Sequence, residues 1–156
     1  MLTVSRRGDQ LVISNRKARH DYELLDTYEC GIQLTGTEVK SLRQGQASLV
    51  DCYARLRGKE LWLEGLHIPP YEQGDKRTHQ PLRPRKLLLH RREIEAIQRD
   101  TMEKSLALIP LRVYFTHGVA KVEIALARGK RQHEKRQSIA KRDAQREAEQ
   151  ALGRRR

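Results

Sequence analysis

Between Tyr22 and Leu34 the even positions read Tyr22, Leu24, Asp26, Tyr28, Cys30, Ile32 and Leu34, against Glu23, Leu25, Thr27, Glu29, Gly31 and Gln33 at the odd ones. Period-two alternation with one slip at Asp26 predicts a long half-buried strand, or two strands with a bend. Gly36 and Thr37 then open a short helix over "TEVKSLRQ". Thr37 is placed to cap it, Val39 and Leu42 form an i, i+3 apolar pair, and Gly45 can end it.

Further along, "CYARL" and "ELWLEGLHI" flank "RGK", whose Gly58 suits a hairpin turn. Residues 76–86 read as loop, because Pro81 and Pro84 interrupt any regular element. "KLLL" reads as a short buried strand, and "REIEAIQRDTMEK" as a helix whose apolar face is Ile94, Ile97 and Met102. "LIPLRVYF" and "VAKVEIALA" are two more strands around "THG", the second placing Val122, Ile124 and Leu126 opposite Lys121, Glu123 and Ala125. Six or so strands, two short helices and no βαβ rhythm predict a mainly β fold, an OB-like small antiparallel Greek-key barrel.

After Ala127 the character changes. From Gly129 to Arg156 the only large apolar residues are Ile139 and Leu152, with alanines at 140, 144, 148 and 151. Helix propensity is good there, but almost no apolar area is available to bury. The expected organisation is therefore a barrel over 1–128 and a basic tail over 129–156, disordered or frayed when free and ordered by a partner.

Composition narrows this further. Of 156 residues, 37% are hydrophobic, but only Trp62, Phe115 and five tyrosines are aromatic, so one aliphatic core is feasible and two are not. Net charge is +12 and segregated: +4 over residues 1–20, +7 over 76–92 and +6 over 129–156, which leaves the remaining segments net acidic. Three basic patches on an acidic body point to a polyanion, of which nucleic acid is the commonest. A membrane partner is not expected, since no helix pairs a basic face with a Trp/Phe/Leu face and no long apolar run exists. No apolar segment follows Met1 to direct secretion, and Cys30 and Cys52 lack metal-type spacing, so both fit buried strand thiols in a reducing cytoplasm.

Catalysis finds no support in the residues. His20, His67, His79, His90, His117 and His133 are scattered, with no HExxH and no nucleophile motif. Neither a cofactor nor a metal is implied. His133 lies in "GKRQHEKR" (129–136) among Lys130, Arg131, Lys135 and Arg136, where a flat ring suits stacking on an unpaired base while the cations hold phosphates. Glu29 is unusual in the opposite sense. A carboxylate near Arg16, Lys17, Arg19 and His20 weakens phosphate attraction unless it accepts from a base edge or orders an arginine.

The stretches "NRKARHDYELLDTYECGIQLTGTEVKSLRQG" (15–45), "ELWLEGLHIPPY" (60–71), "RPRKLLLHRREI" (83–94) and "GKRQHEKR" closely resemble the SsrA-binding proteins, also called small protein B, in order from about residue 10 to about residue 136. The resemblance implies an OB-fold barrel that binds the tRNA-like domain of tmRNA in bacteria and delivers it to ribosomes stalled on messages without a usable stop codon, an adaptor and not an enzyme. It implies that Asn15 and Glu29 lie on the tmRNA face, supported by Tyr22 and by Leu89 of the "KLLL" strand. With the basic patches this gives a candidate RNA face of Asn15, Lys17, Arg19, His20, Tyr22, Glu29, Lys40, Arg83, Arg85, Lys86 and Leu89. The tail, by the same resemblance, enters the empty mRNA channel. There Lys130, Arg131, His133, Lys135 and Arg136 meet the small-subunit decoding centre, and Leu152 matches a late apolar anchor. Departures are small: "ECG" stands for the usual "EAG", and Arg131 and Glu134 replace a lysine and an aspartate with charge kept. The expected free state is a cytoplasmic monomer. The alternative reading is a basic barrel protein that is a structural component of the ribosome.

Overall fold

The computed structural model describes residues 9–71, 79–129 and 142–150. In chain order the elements are β1 (Gln10–Ser14), α1 (Ala18–Asp21), β2 (Tyr22–Ile32), α2 (Gly36–Arg43), β3 (Tyr53–Arg57), β4 (Glu60–Glu64), β5 (Arg85–Leu88), α3 (Arg91–Lys104), β6 (Ala107–Thr116) and β7 (Val119–Gly129). Residues 142–150 are helical, and all nine are exposed. The strands form one antiparallel sheet in the order β1-β6-β3-β4-β5-β2-β7, and an additional β6–β7 pairing closes it into a barrel. Closure leaves no free edge on the central strands, which is how a small all-β unit avoids pairing with its neighbours.

Alternation decides what fills the barrel. Cys30 and Ile32 of β2, Leu61 and Leu63 of β4, Leu87 of β5, Val113 and Phe115 of β6, and Val122, Ile124 and Leu126 of β7 share one buried cluster, to which α2 adds Leu42 and α3 adds Ile97. Each such aliphatic side chain contributes roughly 1.5–3 kcal/mol on burial. The slip expected at Asp26 is a β-bulge, where the β2–β7 register shifts between Leu24 and Thr27. Both hairpins occur where expected. In the β6–β7 turn His117 and Gly118 both take positive φ, 49° and 79°, the backbone hand that matches strand twist in a two-residue loop.

Several expectations need correction. Helix α2 starts a residue earlier than "TEVKSLRQ" suggested, with Thr35 as its cap rather than Thr37. The Thr35 N–H donates to Glu38 Oε1 at 2.9 Å, while the Thr37 hydroxyl sits 2.9 Å from His79 Nδ1. Met102 is 77% exposed, not part of the α3 apolar face. Five residues beyond Ile97 is about 140° around the helix, away from the barrel. Strand β5 begins at Arg85, inside the segment read as loop. Strand β1 was not expected, because five residues with one exposed edge give little pattern, and α1 is a single turn.

Gly65 is fixed by geometry twice over. Its φ is +85°, and a Cβ there would lie 2.8 Å from the Asp51 carbonyl oxygen. Gly45 also has positive φ, +74°, but open space around it. Gly65→Ala should therefore lose about 1–3 kcal/mol from backbone strain and more from the overlap, whereas Gly45→Ala should lose only the strain. Urea denaturation of the two variants tests this, and equal losses would rule out the overlap.

Candidate nucleic-acid interface

The outer faces of β2, β7 and β6 carry two adjacent cross-strand rows. In one, Glu29 pairs with Glu123 and Glu123 with Arg112; in the next, Gly31 pairs with Lys121 and Lys121 with Tyr114. Tyr114 reaches diagonally across β7, and its hydroxyl donates to the exposed Glu29 carboxylate. Only 1% of Tyr114 is exposed. Burial, and then the hydrogen bond to Glu29, push its phenol well above the ordinary value, so it remains a donor at any physiological pH. The Arg112 guanidinium lies 4.4 Å from the Tyr114 ring centroid and pairs with Glu123 at 3.4 Å. Glu123 is itself 5% exposed. The exposed carboxylate at the rim is thus braced by an ordered layer beneath it.

Leucine placement on β5 departs from the expected face. Leu88 pairs with Gly31 and is 46% exposed, whereas Leu89, just past β5, packs on the main core. A Cβ on Gly31 would come within 3.2 Å of Leu88 Cβ, so the glycine lets Leu88 lie close against β2. Leu88 and Lys121 thus join the neighbourhood of Glu29, and neither had been singled out for it.

The β1–α1 corner completes this side. Asn15 donates from its backbone N–H to Leu111 O at 2.7 Å and from its side-chain amide to Pro110 O at 3.1 Å, holding it against β6 at the Pro110–Arg112 bulge. Ala18 packs with Ile109 and Ala127, with Tyr22, Leu24 and Leu111 around them. That small second core seats α1 and leaves Arg16, Lys17 and Arg19 exposed, with His20 Nδ1 3.0 Å from Asp21 Oδ1. Tyr22 lies where two grooves of about 560 Å³ meet, one lined by Asn15, Lys17 and Asp51, the other by Arg19, Thr27, Leu111 and Glu123. Asn15, Lys17, Arg19, His20, Tyr22 and Glu29 therefore gather on one side of the barrel.

The other basic patch does not join them as a unit. Arg85, expected among the RNA-facing cations, is 0% exposed and is removed from the interface. It donates to the Glu38 carboxylate, to Leu66 O at 2.6 Å and to Pro81 O at 3.1 Å. Arg83 is partly buried on the same carboxylate. Burial alone would raise Glu38, but hydrogen bonds from Arg83, the Thr35 N–H and Arg85 outweigh it and hold the carboxyl below its ordinary value. Lys86 points toward Glu60 of β4, 3.5 Å away, and Lys40 is an exposed α2 residue 5.6 Å from the Tyr71 ring centroid. Lys130, Arg131, His133, Lys135, Arg136 and Leu152 lie outside the described residues.

No group of three His, Cys, Asp or Glu side chains suited to a metal occurs among the described residues. Cys30 and Cys52 are buried free thiols, and burial pushes Cys52 up to about 12 and Cys30 higher still, the opposite of what a nucleophile needs. No helix of the described residues is long and apolar enough to cross a membrane.

Comparison with known proteins adds a family likeness to this geometry. A sequence model described as SmpB protein matches residues 12–154. The chain is 60% identical over 148 residues to an SsrA-binding protein of Acidothermus cellulolyticus, covering 95% of this chain and 93% of that one. It is 58% identical over 144 residues to an SsrA-binding protein of Desulforudis audaxviator, covering 92% and 94% respectively. Among solved structures, a chain from tmRNA-SmpB at the center of the bacterial ribosome aligns with a TM-score of 0.66 and 47% identity, over 81% of this chain and 93% of that one.

Proposed function

The chain belongs to the SmpB protein family, and from that premise we propose that it is an RNA-binding adaptor that takes the tRNA-like domain of tmRNA to stalled ribosomes. There the unfinished product is tagged for proteolysis. The observation that carries this reading is likeness across nearly the whole chain, to SsrA-binding proteins in sequence and to a tmRNA-SmpB chain in fold.

The tRNA-like domain docks on the β2–β7–β6 side, where Asn15, Glu29, Tyr22, Lys121 and Leu88 are gathered and Lys17, Arg19 and His20 supply charge at the rim. Lys40 and Lys86 add charge at the edge, and Arg83 acts mainly through Glu38. The residues after Gly129 form the second working part. Lys130, Arg131, Lys135 and Arg136 grip rRNA phosphates, His133 stacks on a base of the decoding centre, and Leu152 anchors the tail in the empty mRNA channel. Phosphate contacts supply affinity and the ring supplies position. The protein is an adaptor without a catalytic step, monomeric when free, and acts in the cytoplasm.

Sequencing the RNA that co-purifies with a tagged copy of the chain tests this directly. One RNA, tmRNA, should be enriched many-fold over total RNA, with the protein substoichiometric to ribosomes. Recovery of rRNA in whole-ribosome proportions without tmRNA would favour a structural ribosomal component instead.

A further inference from the structure

We propose that Tyr114 is the positioning residue for Glu29: the buried phenol fixes the carboxylate so that it accepts from an N–H or O–H donor on the tRNA-like domain. This rests on the reading above that Glu29 faces tmRNA, and adds what makes a carboxylate useful on a surface built for a polyanion. A free glutamate rotamer on a strand would repel phosphates and cost side-chain entropy to order. Here one oxygen, Oε2, already receives the Tyr114 hydroxyl. The ring cannot swing, because it is buried and capped by Arg112, which Glu123 holds from the neighbouring strand. Such a carboxylate is a preset acceptor, able to recognise a base amino or imino group or a ribose 2′-hydroxyl and unable to recognise phosphate.

Tyr114 touches Glu29 and is itself covered, so it acts on RNA only through that carboxylate. The two residues lie 85 positions apart in sequence and meet only because β7 separates their strands.

The test is a double-mutant cycle read by binding of a transcript of the tRNA-like domain, using the full chain. Tyr114→Phe keeps the ring beneath Arg112 and removes only the hydroxyl, so urea denaturation should show near-parental stability. Affinity should fall about tenfold, the scale of one hydrogen bond to a charged group. Glu29→Ala should weaken binding at least as much, and Tyr114→Phe combined with Glu29→Ala should be no weaker than Glu29→Ala alone. A purely structural tyrosine would instead add its loss to that of Glu29→Ala, which overturns the proposal. Normal binding by Tyr114→Phe with weak binding by Glu29→Ala overturns the positioning role alone. Normal binding by both also overturns the placing of Glu29 on the tmRNA face. Transcripts with 2′-deoxy substitutions, or with inosine for guanosine, then separate a ribose from a base donor: the matching substitution should cost the parent about tenfold and leave Glu29→Ala unaffected. Analogues that delete the remaining base donors one at a time, the adenine and cytosine amino groups and the guanine and uracil imino N–H, extend the same comparison. If no substitution in the full set does so, the carboxylate reads no donor and the inference fails.

Discussion

Replacing Glu38 with glutamine should destabilise the barrel by about 3–5 kcal/mol, the cost of leaving a buried charge without its partner. Arg85 is wholly enclosed, and among the described residues its partners besides Glu38 are two backbone carbonyls, Leu66 O and Pro81 O. Glutamine preserves shape but presents no negative charge to the guanidinium. It also weakens the start of α2, where Glu38 accepts from the Thr35 N–H. Against a typical stability of about 5–15 kcal/mol for a domain, this is a large fraction. Combining Glu38→Gln with Arg85→Met removes the stranded charge and should recover part of the loss, since replacing a buried pair by apolar groups is often neutral. Urea midpoints decide the matter: a single variant within about 1 kcal/mol of the parent would mean that the pair is not structural. The pH dependence follows the same logic. Because the folded state holds Glu38 below its ordinary value, its contribution is complete above the ordinary carboxylate range and is lost as acidification passes through the folded value. The Glu38→Gln variant should accordingly show a shallower fall in stability below about pH 4 than the parent.

This ion pair also shows where reading the chain reaches its limit. Local pattern located the long β2 strand, its irregularity at Asp26 and both hairpins, because each is encoded within about a dozen residues. Arg85 sits in a run of cations, and cations are nearly always solvated. The carboxylate that buries it is 47 positions away, with nothing in the pattern to join the two. The RNA face divides the same way. Asn15 to Tyr22 is one contiguous stretch, and the family resemblance, not local pattern, put Asn15 and Tyr22 with Glu29 on the proposed face. Tyr114, Arg112 and Lys121 enter only through the β6–β7–β2 register. Leu88 and Leu89 are adjacent leucines in a four-residue strand, where one step in phase exchanges inside for outside. No local signal sets that phase; the Gly31 opposite Leu88, which accommodates its close approach, was the available clue.

Removing the tail should separate RNA binding from rescue, and the structure fixes where to cut. Gly129 and Arg128 belong to β7, pairing with Tyr22 and Glu23, and Arg128 also lies 3.8 Å from the Glu23 carboxylate. A cut after Ala127, where the sequence character changes, would strip that last pair of rungs from beside Tyr22. A cut after Gly129 keeps the strand whole and removes residues 130–156, which carry +6. Among these, 142–150 bury nothing against the barrel, and the unfolding free energy should change by less than about 0.5 kcal/mol. Binding to the tRNA-like domain should persist at moderate salt, because Lys17, Arg19, Glu29 and Lys121 remain in place. Any loss should shrink as salt rises, since distributed charge acts through counterion release. Peptide tagging on a ribosome stalled at the end of a truncated message should fall to background, because in the proposed division of labour the truncated chain brings tmRNA to the ribosome but places nothing in the empty channel. Binding of the tRNA-like domain by gel shift and tagging by product mobility are read on the same preparation. If the truncated chain binds and tags like the parent, the tail is only a solubilising appendage; if it neither binds nor tags, the tail belongs to the tmRNA interface itself, and the two-part division of labour is wrong.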